Sequence, residues 1–221
     1  MELSWMNPLQ YVIWRAVERG VPATNLVLIL AFPMAATMIA ASRHLLGLRG
    51  FGIFIPAALA VAFVASGMGP GLMLLAVILG VTTIGRMGLK WLKLQYLPRT
   101  ALLLWLVSLG VLGAMVAAAE VGVGEVAAVG IFPVLILILL AESFSAVQAN
   151  RSMRTAVNLT LETIVLALMA AGVLSLAAVQ WWVLANPELA VLGVAVADVF
   201  MGKYTGLRLT EYWRFKRLGE K

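Results

Sequence analysis

The chain contains no cysteine and only one histidine. Disulfides and thiolate metal sites are therefore excluded, and a histidine-rich metal site is not expected. Familiar catalytic and nucleotide-binding motifs are also missing, since the sequence has no GxSxG, no HExxH and no Walker loop. These absences predict a protein that is not an enzyme and has no catalytic residue, metal or cofactor of its own.

Charged residues are scarce as well. They make up 12% of the 221 residues, whereas 63% are hydrophobic and the mean hydropathy is +1.02. An average soluble domain is about 25% charged. Because a membrane-spanning helix needs about 20 mostly apolar residues, the composition predicts an all-α integral membrane protein with seven transmembrane helices and no room for a separate soluble domain. The apolar stretches lie near 24–42, 51–67, 71–89, 100–119, 127–142, 156–179 and 188–202.

The positive charges are distributed unevenly over the connections between these stretches. When alternate connections are counted, one side receives all Lys and Arg residues except Arg15 and Arg19. Cytoplasmic loops retain Lys and Arg, so the N-terminus is predicted outside and the C-terminus inside the membrane. Membrane topology and anionic lipid headgroups explain these charges. Membrane lipid is therefore an expected partner, and nucleic acid is not.

Composition divides the chain into three regions. Residues 1–23 are predicted to hold an amphipathic helix at 7–20, capped by Asn7, in the outer membrane interface; a ragged extension is the alternative. Residues 24–202 form the seven-helix transmembrane domain. Residues 203–221 form a basic, aromatic cytoplasmic tail, for which lipid anchoring and the docking of a cytoplasmic protein both remain open. The docking or lipid-binding candidates are Arg208, Glu211, Tyr212, Trp213 and Arg214.

Two of the apolar stretches are short and open alike, with GIFIP at 52–56 and GIFP at 130–133. A proline that follows a glycine is expected to interrupt the backbone hydrogen bonds of these spans. Units of three spans each, at 51–119 and 127–202, would then form an inverted repeat, and such repeats often place a functional site at their interface. Two unrelated proline-containing helices are the alternative.

Several polar residues fall inside or beside the spans, where a charged group costs about 2.5–3.5 kcal/mol. Glu162 lies about two turns into the sixth span, Asp198 lies in the cytoplasmic half of the seventh, and Glu142 ends the fifth. We expect these carboxylates to meet arginines at the inner leaflet, either in a polar cavity for an anionic or peptide-like substrate or as buried ion pairs. The candidate residues are Arg43, His44, Arg49, Arg86, Arg99, Glu142, Gln148, Arg151, Asn158, Glu162 and Asp198.

The polar segments resemble those of a prokaryotic family, the seven-transmembrane domain usually fused to an inactive transglutaminase-like domain. This resemblance implies a multi-pass protein of the prokaryotic cytoplasmic (inner) membrane. The resemblance extends from about residue 24 to the end, and it rests on ASRHLLGLRGFGIFIP (41–56), LQYLPR (94–99), LAESFSAVQ (140–148), LET (161–163) and TGLRLTEYWRF (205–215). The transglutaminase-like domain itself is absent from these residues. The resemblance therefore implies either a separate extracytoplasmic transglutaminase-like partner or a stand-alone version.

A more distant likeness is to the membrane subunit of poly-γ-glutamate synthesis, which works beside a ligase. Together the two resemblances imply a cytoplasmic ATP-grasp-type ligase as partner. The leading hypothesis is a non-enzymatic membrane subunit of a peptide or polyglutamate-type synthesis and export system. A secondary transporter or channel for a small solute, with Glu162 and Asp198 as coupling carboxylates, is the alternative.

Overall fold

A computed structural model describes residues 7–150 and 152–203, except for the side chains of Leu46 and Asn150. A 3₁₀ turn, Lys90–Leu92, joins the fourth and fifth α-helices, and no strand occurs in the described residues. The all-helical class is confirmed. The helices are α1 (Pro8–Glu18), α2 (Ala23–Leu46), α3 (Phe54–Ser66), α4 (Met68–Leu89), α5 (Tyr96–Glu120), α6 (Gly124–Ala127), α7 (Ile131–Asn150), α8 (Met153–Leu174), α9 (Ala177–Ala185) and α10 (Pro187–Lys203).

Five of the described helices are long and apolar enough to cross a membrane: α2, α4, α5, α7 and α8. Helices α9 and α10 qualify only as a pair, and their axes are bent by 103°. Helix α3 has 13 residues and is about 20 Å long, which is shorter than the hydrocarbon core of about 30 Å. The multi-pass prediction is thus confirmed for five or six spans. The orientation and the inverted repeat remain predictions.

Proline marks the beginning of most helices. The first N–H groups of a helix have no partner inside it, so a proline at this position removes no hydrogen bond. The prediction that the GIFIP and GIFP prolines interrupt spans is therefore wrong: Pro56 and Pro133 are the third residues of α3 and α7. Pro33 is different, because it lies in the interior of helix α2. The other seven prolines lie in a first turn or directly before a helix: Pro8, Pro22, Pro56, Pro70, Pro98, Pro133 and Pro187.

The described residues divide into two compact units, and the first comprises residues 7–61 and 165–203. In this unit α10 packs against α2, and α1 contacts both α9 and α10. The backbone N–H of Gln10 donates to Glu188 Oε1 at 2.9 Å, and the side-chain amide of Gln10 donates to the Ala185 carbonyl at 2.7 Å. Helix α1 is therefore attached to the bend between α9 and α10. Its predicted place in the membrane interface stays a prediction.

The second unit comprises residues 62–164, and in it α4 packs against α5 and α7. Glycine allows α4 and α5 to approach closely, because a Cβ added at Gly110 would lie 2.6 Å from Val81 Cγ2. A Cβ added at Gly85 would lie 3.0 Å from Leu106 Cδ1. Apolar helices gain little from leaving lipid, so close van der Waals packing through small residues is a main source of their association.

We predict that Gly110→Ala lowers the free energy of unfolding by about 1–3 kcal/mol, because the added methyl group overlaps Val81. Gly113→Ala is the matched control, since nothing lies within 4 Å of a Cβ at this position of the same helix. Thermal unfolding of the detergent-purified variants should give a lower Tm for Gly110→Ala alone. Equal Tm values would contradict the close approach of α4 and α5.

Candidate functional site

Three helices of the second unit line a cleft with a cavity volume of about 70 Å³, here called the α4–α5–α7 cleft. Each helix presents one face to it, with the spacings of three and four residues that align side chains along an α-helix. Helix α4 supplies Thr82, Arg86 and Leu89. Helix α5 supplies Tyr96, Arg99, Thr100, Leu103, Leu104 and Val107. Helix α7 supplies Ile138, Ala141, Glu142, Ser145, Ala146 and Ala149.

The cleft stays open because the α7 face is made largely of small residues. Alanine and serine occupy four of its six positions, at 141, 145, 146 and 149. Larger side chains from α5 stand opposite them. A helix face of alanine and serine cannot fill the space that its neighbours leave, so a cleft remains where close packing would otherwise be expected.

The two ends of the cleft differ in polarity. Arg86 lies in the last turn of α4 and Arg99 in the first turn of α5, so both arginines lie near the ends of their helices. Further along α5 the lining consists of Leu103, Leu104 and Val107. The cleft therefore runs from a cationic mouth to an apolar interior.

Among the described residues, Arg86 is the charged residue that is buried; 7% of its surface is exposed. Its Nη1 donates to the main-chain carbonyl of Ser145 and lies 3.4 Å from both Ser145 Oγ and Gln148 Oε1. These acceptors are neutral, and no carboxylate of the described residues forms an ion pair with Arg86. Burial of a cation is stable only when its donors are satisfied. The Ser145 carbonyl accepts a hydrogen bond from Arg86 Nη1, and because it is neutral it leaves the positive charge of Arg86 uncancelled.

Arg99 adds a second positive charge to the same lining, and this charge opposes that of Arg86. Glu142 also lines the cleft, but within residues 7–150 and 152–203 it forms an ion pair with neither arginine. The lining thus holds two cations and one separate carboxylate. In a poorly hydrated site such an arrangement favours a bound anion.

The first unit holds another group of predicted residues. Arg43, His44 and Asp198 line an open pocket together with the turn between α2 and α3. Arg43 Nη1 donates to the Gly52 carbonyl, and Asp198 Oδ1 accepts a hydrogen bond from the Thr37 hydroxyl at 3.0 Å. The predicted candidates are therefore divided between the two units: Arg86, Arg99 and Glu142 in one lining, Arg43, His44 and Asp198 in the other.

Other candidates lie elsewhere. Gln148 contacts Arg86 without lining the cleft, and Arg49, Asn158 and Glu162 line neither pocket. Arg151 and the tail candidates Arg208, Glu211, Tyr212, Trp213 and Arg214 lie outside the described residues. Among the residues that are described, no three of His, Cys, Asp or Glu are grouped as a metal ion requires.

Sequence reasoning missed the other members of this cleft, above all Ser145 and Thr82. The signal was present in the spacing: Thr82 precedes Arg86 by one helical turn, and Ser145 follows Glu142 by three residues. The acceptor of the Arg86 hydrogen bond is a main-chain carbonyl, however, and a main-chain acceptor leaves no mark in a sequence. The geometry of α7 was needed to find it.

The fold and the cleft define a multi-pass helical membrane protein. The chain belongs to the family described as seven transmembrane helices usually fused to an inactive transglutaminase, which matches residues 22–219. This confirms the resemblance found in the polar segments. Comparison with curated protein sequences and with solved structures gave no match.

Single cysteines can test to which side of the membrane the cleft opens, because the chain has no cysteine of its own. Gln95→Cys lies between α4 and α5, near the mouth, and Val123→Cys lies at the other end of the 25-residue helix α5. We predict that a membrane-impermeant maleimide labels Val123→Cys in intact cells and Gln95→Cys only after permeabilisation. Labelling of both in detergent is the control. The reverse pattern would show that the connection between α4 and α5 lies outside.

Proposed function

We propose that this chain is a non-enzymatic membrane subunit of a peptide or polyglutamate-type synthesis and export system. In this proposal a cytoplasmic ATP-dependent amide ligase makes an acidic product, and the membrane subunit receives it. The observation that carries the proposal is the pair of arginines, Arg86 and Arg99, in a cleft where no described carboxylate pairs with either.

Arginine suits the recognition of carboxylates along an acidic chain. The guanidinium group presents several donors in one plane and stays charged at any physiological pH. Ser145 and Gln148 engage Nη1 of Arg86 and thereby orient the group. The side chain is thus positioned in advance, and little freedom is lost when an anion binds.

Glu142 in the same lining keeps the affinity of the site moderate. A path through a membrane requires binding that is favourable enough for entry and weak enough for release. Two cations without a carboxylate nearby would hold a polyanion tightly. One carboxylate among them reduces the net positive charge of the lining and favours release.

Membership of the family supports a role without catalysis. The transglutaminase that usually accompanies these seven helices is described as inactive. The resemblance to the membrane subunit of poly-γ-glutamate synthesis supplies the expected partner, the ATP-grasp-type ligase. A separate extracytoplasmic transglutaminase-like protein is the second partner that we propose.

One observation favours a different function, a proton-coupled transporter for a small solute. Helices α9 and α10 meet at 103°, and Asp198 lies on α10 with its carboxylate bonded to Thr37. Interrupted helices that carry an ionisable residue are typical of secondary transporters. Uptake into proteoliposomes that depends on a proton gradient and is lost in Asp198→Asn would support this second candidate.

We predict that the purified protein binds a fluorescent penta-glutamate and that Arg99→Gln weakens this binding at least tenfold. A hydrogen bond to a charged group contributes about 1.5–3 kcal/mol, and a tenfold change in Kd corresponds to about 1.4 kcal/mol. Arg154→Gln is the matched control, because Arg154 is exposed and lies outside the cleft. Fluorescence anisotropy at low and high salt measures the affinity, which should fall as salt rises.

The purified protein can also be tested for the proposed ligase partner. Co-purification of an ATP-dependent amide ligase with the detergent-solubilised protein is the expected result. Failure to bind penta-glutamate, together with no ligase in the preparation, would refute the proposed function. Equal loss of penta-glutamate binding in Arg99→Gln and Arg154→Gln would refute the assignment of the site to this cleft.

A further inference from the structure

We infer that the open pocket of the first unit binds an aliphatic α-amino acid in its zwitterionic form. The carboxylate of the ligand meets Arg43 on α2, the ammonium group meets Asp198 on α10, and the side chain lies against an apolar wall. This inference does not rest on the proposed function, because that function depends on Arg86 and Arg99 in the other unit.

The pocket is built from one face of each of two neighbouring helices. Helices α2 and α10 pack against each other. Each supplies residues at positions i, i+3 and i+4, a spacing that places side chains on the same side of an α-helix: Ala40, Arg43 and His44 on α2, and Asp198, Met201 and Gly202 on α10. The cavity volume of about 660 Å³ falls within the range of about 300–1,000 Å³ that is usual for ligand sites.

The pocket lining holds two opposite charges apart. In the described part of the chain, Arg43 and Asp198 line the same pocket without forming an ion pair with each other. A neutral group positions each of them instead: Nη1 of Arg43 donates to the Gly52 carbonyl, and Asp198 Oδ1 accepts a hydrogen bond from the Thr37 hydroxyl at 3.0 Å. Neither neutral group cancels a charge. A ligand that carries both a carboxylate and an ammonium group is therefore complementary to this lining.

The turn between α2 and α3 places the Gly52 carbonyl within reach of Arg43. Gly47 and Gly52 lie in this turn with φ angles of 72° and 50°, a left-handed conformation that glycine adopts without steric cost. The chain thereby turns back far enough for Gly52 to meet the last turn of α2. A guanidinium group that is held at one nitrogen keeps its other donors in a fixed plane, which suits a carboxylate.

The remaining lining selects for an aliphatic side chain. Ala40, Ile53 and Met201 are apolar, and Ile53 is 45% exposed, so its side chain is available for contact. A hydrocarbon side chain that covers this surface is stabilised by the hydrophobic effect. A charged side chain would meet an apolar wall without a partner for its charge. An aliphatic amino acid such as leucine is therefore the expected ligand.

Binding of radiolabelled L-leucine to the full-length protein, purified in the neutral detergent dodecyl maltoside, tests this inference. Two competitors differ from leucine by one charged group: 3-methylbutylamine lacks the carboxylate, and 4-methylpentanoate lacks the ammonium group. We expect saturable binding of leucine, and we expect each competitor to bind at least tenfold more weakly. Glycine, which has no side chain, should bind at least fivefold more weakly. Absence of saturable leucine binding, or equal affinity for leucine and either competitor, would overturn the inference.

Two variants assign each charge of the ligand to its residue. Arg43→Gln should weaken leucine binding at least tenfold without weakening that of 3-methylbutylamine, which has no carboxylate for Arg43 to meet. Asp198→Asn should weaken leucine binding by a similar factor without weakening that of 4-methylpentanoate. Arg154→Gln and Glu120→Gln are the matched controls, because both residues are exposed and line neither pocket. Each control should change leucine binding less than twofold.

Thermal unfolding shows whether each variant is folded, and the competitors separate a lost contact from a damaged pocket. Equal loss of leucine and of both competitors in a folded variant, or a loss in the controls as well, would overturn the assignment to this pocket. Leucine binding without penta-glutamate binding would support the inference and contradict the proposed acidic product. Penta-glutamate binding without leucine binding would overturn the inference and leave the proposed function intact.

Discussion

A backbone N–H or C=O group without a hydrogen-bond partner is unfavourable by several kcal/mol in hydrocarbon, and this constraint decides where the chain can contain proline. Proline lacks the N–H group, so it is tolerated where a helix has no acceptor to offer, which is the first turn. Seven prolines lie there or directly before a helix. Pro33 cannot donate to the carbonyl of Ile29, and it is the one proline inside a helix. Proline therefore positions the helices that build both units.

A polar side chain that is buried also needs a hydrogen-bond partner, and this requirement shapes the cleft. Arg86 is buried, and Nη1 of its guanidinium contacts the Ser145 carbonyl and the polar side chains of Ser145 and Gln148. This contact joins α4 to α7 at the cationic mouth. Because the acceptors are neutral, the contact joins the two helices without cancelling the positive charge. A carboxylate in the place of the carbonyl would have held the helices together and removed the charge.

Much of the architecture could be predicted from the sequence, because membrane helices follow from apolar length alone. Of the predicted cavity residues, Arg86, Arg99 and Glu142 lie in one cleft. Apolar length could not reveal that α3 is only 13 residues long, nor that the last predicted span is joined to α9 at a 103° bend. Charge patterning could not reveal that Arg43, His44 and Asp198 belong to a different unit, because it reports the side of a membrane and carries no information on which helices are neighbours.

The lining of the α4–α5–α7 cleft combines two positive charges, one carboxylate and an apolar wall. Two unit charges about 4 Å apart interact by about 4 kcal/mol at the effective dielectric constant of a protein surface, so adding or removing one charge changes affinity by orders of magnitude. In the proposed function, Arg86 and Arg99 attract an anionic product and Glu142 limits how tightly it is held. The apolar wall contributes through area, at about 25 cal/mol per Å², and does not depend on charge. In the proposed function, two cations and one carboxylate let an acidic product bind and still leave, because the net charge of the lining stays small.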